Sequence, residues 1–160
     1  MSLHYLLDGY NILHQIPELL LLEIDQQRLV LVREIEKHQP HGSGRNKVTL
    51  IFDGRPGRAQ PITSTAVTVI FSMDRSADDR IREMVQGSGQ VKNMIVVTDD
   101  RELQYSVRAS GAKVLSVREF MGRLRGTQVQ TRGKKLTQRQ KDQINAELED
   151  RWLKGGGDSD

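Results

Sequence analysis

Cysteine is absent from the 160 residues, which excludes disulfides, thiolate catalysis and Cys-ligated zinc or iron–sulfur sites together. The four histidines, His4, His14, His38 and His41, show neither an HExxH pattern nor paired-ligand spacing. Any metal would therefore be held by oxygen. Aromatic residues make up only 4% of the chain and form no RNP-like run on which bases could stack. Neither a GxGxxG turn nor a P-loop is present, which argues against a nucleotide-binding enzyme. Long apolar runs are missing too: Leu19 to Leu22 is too short to cross a bilayer, and Asp8, Pro17 and Glu18 interrupt the N-terminal apolar stretches. No basic leader precedes them, so the expectation is a soluble, cytoplasmic protein without a membrane partner.

What is there suits one main domain, because a chain of this length can bury one sizeable core. Its 36% hydrophobic content is diluted by the C-terminal part. Residues 1–121 carry 15 basic and 15 acidic side chains, whereas 122–160 carry 9 and 6, so the net charge of +3 lies in the tail. Between Gly122 and Lys141 stand Arg123, Arg125, Arg132, Lys134, Lys135, Arg139 and Lys141 with no acid among them. Such segregation favours a polyanionic partner over a merely solvated basic linker.

Apolar runs rich in β-branched residues recur at Leu3–Leu7, Lys47–Phe52, Ala66–Phe71, Asn93–Thr98 and Ala112–Leu115, and read as strands. Helical periodicity occupies Glu18–Gln39, Ala77–Gln86, Arg101–Ala109 and Val117–Leu124. The alternation predicts an α/β domain over 1–124 with a mainly parallel central sheet flanked by helices. The second and third strands are joined by a Gly/Pro-rich loop rather than a helix, so that connection should be irregular. Beyond it, 125–160 reads as a basic tail: a linker through Lys135, then a short helix opened by a Thr137/Gln140 capping box and running to about Leu153. Its thin stripe of Ile144, Leu148 and Trp152 is compatible with docking on the domain or on a partner. Residues Gly155 to Asp160 read as disordered.

Ligands of an open parallel sheet bind beyond the carboxyl ends of its strands. There the chain places acids: Asp8 ends the first strand, Asp53 the second, and Asp99 with Asp100 the fourth. One such Asp is ordinary turn chemistry, but repetition at equivalent ends is harder to attribute to turns. The helix after the third strand adds Asp78, leaning toward its apolar face, and Asp79, facing outward. Asp99 with Glu102 could cap the next helix, leaving Asp100 the freer carboxylate, and the spacing does not decide which of the two enters the cleft. Carboxylates gathered this closely repel unless a cation neutralises them. All-oxygen ligation suits Mg²⁺ or Mn²⁺, which can support phosphodiester cleavage without a His, Cys or Ser nucleophile.

The ordered set Asp8-Gly9-Tyr10-Asn11, Phe52-Asp53-Gly54, Ala77-Asp78-Asp79-Arg80-Ile81 and Thr98-Asp99-Asp100-Arg101-Glu102-Leu103 resembles the YacP-like NYN domain family of the PIN-like nuclease superfamily. The resemblance spans roughly residues 3–124. It implies a three-layer PIN-like fold and a divalent-metal-dependent endoribonuclease acting on messenger RNA. By position, Asp8, Asp78 and Asp100 resemble the principal catalytic, metal-binding carboxylates, and Asp53 resembles the FDG aspartate of flap-endonuclease-type sites. Asp79 and Asp99 are secondary candidates for the metal. Asn11 resembles the polar residue that steadies the first-strand loop, Thr98 the small hydroxyl residue before the last acid, and Glu102 a second acid of some relatives. Asp99 departs from the pattern, since a small residue is expected between Thr98 and Asp100.

A polyanion needs cations to approach an acidic cleft, and Arg55 and Arg58 follow the Asp53 strand directly. These two, with Lys134 and Lys135 of the tail, are the candidate RNA contacts, while Arg101 is placed to buffer the acids. Without a base-reading motif, selectivity would come from RNA context or from a partner, such as the ribosome, that presents the RNA. The competing reading is a non-catalytic RNA- or ribosome-binding adaptor on the same scaffold. A receiver-like phosphoacceptor fits poorly, because Leu7 rather than a second acid precedes Asp8.

Overall fold

The computed structural model describes residues 2–124. Five strands, β1 (His4–Asp8), β2 (Lys47–Phe52), β3 (Val67–Phe71), β4 (Met94–Val97) and β5 (Lys113–Leu115), form one sheet in the order β3-β2-β1-β4-β5, and every pairing is parallel. The helices are α1 (Gly9–Leu13), α2 (Ile24–His38), α3 (Ala77–Gln86), α4 (Arg101–Ala109) and α5 (Val117–Leu124), with short 3-10 turns at Pro17–Leu21 and Val91–Asn93. The predicted fold class is therefore the observed one: a parallel sheet between two helical layers. Among the described residues no helix is long and apolar enough to cross a membrane. The tail predicted over 125–160, with Lys134, Lys135 and the Ile144/Leu148/Trp152 stripe, lies outside the described residues.

Burial on both sides explains why the strands read as unbroken apolar runs. Alternate residues feed two cores. Tyr5, Leu7, Val48, Leu50 and Phe52 pack with α1, α2 and α5, to which α5 contributes Val117, Phe120, Met121 and Leu124 at i, i+3, i+4 and i+7. Leu6, Ile51 and Val96 point the other way, onto Ala77, Ile81 and Val85 of α3 and Leu103 and Val107 of α4. Each fully buried Leu, Ile or Phe adds about 1.5–3 kcal/mol by removal from water.

Two local expectations are corrected. The helix expected over Glu18–Gln39 is split: Pro17 opens a 3-10 turn, Leu22 is extended (φ −96°, ψ 161°), and α2 starts only at Ile24. A further short helix, α1, follows Asp8 at once. It was hidden because five residues carry too little periodicity to stand out. The β2–β3 connection does run without a helix, over 53–66.

Candidate active site

Strand order determines where a crevice opens. From β1 the chain moves by α1 and α2 to β2 on one side, while β4 and its continuation into α4 lie on the other. The loops leaving β1 and β4 therefore diverge, the switch point at which open parallel sheets hold ligands. Asp8 ends β1 in register beside Ile51, and Leu7 pairs with Val97, so Thr98 extends β4 beside Asp8. By alternation Asp8, Asp53 and Thr98 share the face of Leu6, Ile51 and Val96, the face that α3 and α4 cover.

The two helices then bring their acids to the strand ends. Ser76 caps α3, accepting from the Asp79 N–H at 3.1 Å, which places Asp78 in the first turn, half-buried. Asp79 is exposed and ion-paired with Arg82 at 3.2 Å. At α4 the capping acid is Asp100, not Asp99: its Oδ1 accepts from the Glu102 and Leu103 N–H groups at 2.9 and 3.1 Å. Asp99 instead accepts from the Val117 N–H at 2.9 Å and so pins the start of α5. Capping and the cleft thus compete for one residue, and Asp100 serves both, one oxygen being occupied by the helix. Asn11 Oδ1 accepts from the Asp99 N–H at 2.9 Å, tying the loop after β1 to the loop after β4.

Thr98 is fully buried between the two key carboxylates. Its hydroxyl donates to Asp8 Oδ2 and accepts from the Asp100 N–H, both at 3.1 Å. Thr98→Val keeps the shape and removes both bonds. It is expected to cost about 1–3 kcal/mol, a lowering of Tm readable by thermal melts, whereas Thr98→Ser should recover most of that loss.

The electrostatics follow from burial first and crowding second. Burial pushes the Asp8 carboxyl above its ordinary value, and the charges of Asp100 and Asp53 add to the rise. The Thr98 hydroxyl and the Asn11 N–H work against it. Asp78 is raised to about 6, first by burial, then by its hydrogen bond to Asp100 and the charges of Asp8 and Asp100. Asp100 moves down, held ionised chiefly by the Leu103 N–H and also by Asp78 as a donor and by Arg82. One proton thus belongs to the Asp78/Asp100 pair, on the Asp78 side.

Asp8, Asp78 and Asp100 are brought together, with Asp53 close enough to act on Asp8. Asp53 itself is exposed, and its Oδ1 accepts from the Ser72 hydroxyl at 3.2 Å, while that Ser72 oxygen accepts from the Gly54 N–H at 3.0 Å. Asp79 and Asp99 turn to Arg82 and α5 respectively, and Glu102 is exposed. Arg82, which the sequence did not single out, is the cation acting on both Asp78 and Asp100, the role expected of Arg101. Its signal was its place on α3, four residues after Asp78 and so one turn along the same face. Arg55 is ion-paired with Asp74, and Arg58 is exposed in the β2–β3 loop.

No three acidic or histidine side chains among the described residues already converge to hold an ion. The donor chemistry nevertheless fits a hard divalent cation: the set is all carboxylate oxygen, and burial and neighbouring charge raise Asp78 to about 6 in the absence of an ion. Mg²⁺ in particular needs only one or two direct carboxylates and keeps several waters.

The family model described as "YacP-like NYN domain" matches residues 5–155. The crystal structure of Rae1 (YacP) from Bacillus subtilis is similar over 99% of this chain and 98% of its own, at 26% identity and TM-score 0.66. A tryptophan-to-leucine mutant of that protein is similar over 99% and 86%, at 24% identity and TM-score 0.61. No curated protein sequence gives a significant match.

Proposed function

The chain belongs to the YacP-like NYN domain family, a PIN-like nuclease family, and on that premise we propose that it is a divalent-metal-dependent endoribonuclease acting on messenger RNA. One observation carries the reading: Asp8, Asp78 and Asp100 meet at the switch point of the sheet, where burial first and the neighbouring carboxylates second raise Asp78 to about 6. Carboxylates packed at such cost, in the cleft where parallel sheets hold ligands, are a site for a cation rather than a scaffold.

Asp8, Asp78 and Asp100 would hold Mg²⁺ or Mn²⁺, with Asp53 at the edge. When bound, the ion supplies Lewis-acid polarisation of the phosphate and a more acidic water. The chain's own contributions are separable. Thr98 orients Asp8 and positions the Asp100 backbone. The α4 N-terminus holds Asp100 ionised and in one rotamer. Arg82 offsets negative charge beside the pair. Arg55 and Arg58, in the loop after Asp53, are the candidate contacts for RNA phosphates, with Lys134 and Lys135 of the basic tail as further candidates. In the absence of a contiguous base-reading motif, choice of RNA falls to a presenting partner, for which the ribosome is the candidate.

The test is cleavage of labelled single-stranded and structured RNA with Mn²⁺, Mg²⁺ or EDTA, beside Asp8→Asn and Asp100→Asn. Asparagine keeps the Thr98 acceptor at position 8 and the helix cap at 100, so fold survives while charge is lost. Cutting should require the ion and fall at least about a hundredfold in each variant, the scale on which one electrostatic group at a reacting centre is felt. Full activity in both variants sinks the aspartate-held metal site. A folded wild type that binds RNA and cuts it under no condition, ribosomes included, makes the protein an adaptor.

A further inference from the structure

On the sheet face opposite the carboxylates lies a groove of ≈ 620 Å³ between α2, the outer strand β3 and the β2–β3 loop. Its apolar wall is Leu29, Pro56, Pro61, Ile62, Val69 and Phe71. Arg28, Arg33 and Asp25 supply its charges.

Arg28 is the unusual member. It is only 6% exposed, and its guanidinium lies 4.9 Å from the ring centre of Phe71, 5.5 Å from Phe52 and 5.7 Å from Tyr10. Nη1 donates to Asp25 at 3.1 Å and Nη2 to the Tyr10 hydroxyl, while Nε is buried with no acceptor among the described residues. A buried donor left unmatched is costly, and this one belongs to a residue lining an open groove. Aromatic rings distant in sequence, at 10, 52 and 71, thus converge on one guanidinium, an assembly that no contiguous motif announces.

The groove is joined to the candidate active site through the chain itself. Tyr10 follows Asp8 by two residues, Phe52 precedes Asp53, and Phe71 lies in register beside Phe52. The same β2–β3 loop carries Arg55 and Arg58. The groove's size is that of a small-molecule site, and its charged lining is Arg28, paired with Asp25, and the exposed Arg33, paired with Glu36.

We propose that this groove takes one unpaired nucleobase of the RNA strand, the base lying against Phe71 and the prolines and presenting an acceptor to Arg28. The proposal rests on the nuclease reading above and adds to it a preference for single strands. Bases splayed out of a strand are held in this way, by aromatic faces or guanidinium planes with hydrogen bonds to their edges, whereas a base within a duplex enters only after its stacking and pairing are broken.

The test uses the full chain carrying Asp8→Asn, so that RNA is bound without being cut. Fluorescent oligouridylate and oligoadenylate are titrated beside an RNA duplex of equal length, with and without Ala59→Trp, which adds bulk from an exposed loop position lining the groove. Single-strand affinity should fall roughly tenfold or more, as when one base-stacking contact is lost, with duplex affinity unchanged. Oligonucleotides containing 4-thiouridine should crosslink to the peptide spanning 56–71, and lose that crosslink in Ala59→Trp. Unchanged single-strand affinity, an equal loss for duplex, or crosslinks only elsewhere overturns the groove. The two readings fail separately: cleavage that survives Asp8→Asn overturns the carboxylate site while the binding comparison, repeated in EDTA, still decides the groove, and intact metal-dependent cleavage with indifferent Ala59→Trp overturns the groove alone.

Discussion

Asp78→Asn is expected to make the protein more stable at pH 7 without divalent ions, and at the same time to abolish cleavage. Both effects come from one cause. The folded carboxyl is raised to about 6, whereas an unfolded aspartate titrates near its ordinary value. The folded state therefore binds the extra proton between roughly pH 4 and 6, and stability falls as pH rises through that window. At neutral pH the full penalty is in place. Because Asp78 is partly open to solvent, the penalty is about 1–2 kcal/mol after discounting for screening. Asparagine removes it at every pH. Asp100 behaves in the opposite sense: its lowered carboxyl stabilises the fold above its ordinary range, and that gain is lost on acidification. Thermal melts from pH 4 to 8 should show the wild type matching Asp78→Asn at low pH, dropping below it as pH rises from about 4, and holding the full gap above about pH 6. Adding Mg²⁺ should raise the Tm of wild type alone, since only it carries the full charge set. A variant less stable than wild type at pH 7 would mean that Asp78 is a structural acid.

That opposition of stability and activity explains which parts of the site could be read in advance. Strand ends were legible because β-branched runs stop where an acid starts, so Asp8 and Asp53 could be placed on the same edge without coordinates. Asp78 and Asp79 could be separated because helical period relates each to the apolar stripe of Ala77, Ile81 and Val85. The Asp99/Asp100 choice could not be made. Either residue satisfies the local chemistry of an N-cap, and what decides is distant: the Val117 N–H takes Asp99, leaving Asp100 to cap α4 and meet Asp78. The aromatic cage around Arg28 was missed for the same reason, since its meaning depends on partners far along the chain, whereas Arg82 carried a local signal, one turn after Asp78, that the strand-end acids overshadowed. Among the elements, α1 was hidden by its five-residue length, and the break before α2 by an apolar run that continues across Leu22.

Gly9→Ala is expected to lower stability by at least about 1–3 kcal/mol, the cost of forcing extra carbon into a packed core. Glycine here answers to space rather than to backbone angle. A Cβ at position 9 would lie 2.4 Å from Phe52 Cδ1, 2.5 Å from its Cε1 and 2.9 Å from the Ile51 carbonyl oxygen. The ring cannot retreat freely: Phe52 is fully buried, with Tyr10 at 5.4 Å, Phe71 at 5.8 Å and the Arg28 guanidinium against it. The carbonyl belongs to the β2 backbone and moves only with the strand. Relief must therefore come from the chain on either side of Gly9, which is Asp8 before it and Asn11 two residues after. Any shift there moves the Asp8 carboxylate away from Thr98 and loosens the Asn11 tie to Asp99. The variant should accordingly lose cleavage by more than its unfolded fraction accounts for, a difference measured by assaying well below its Tm beside circular dichroism. Adding Phe52→Leu makes room for the methyl and should recover part of the Gly9→Ala activity. Independent, additive losses in that pair would show that the close packing of Gly9 on Phe52 does not hold Asp8 in place.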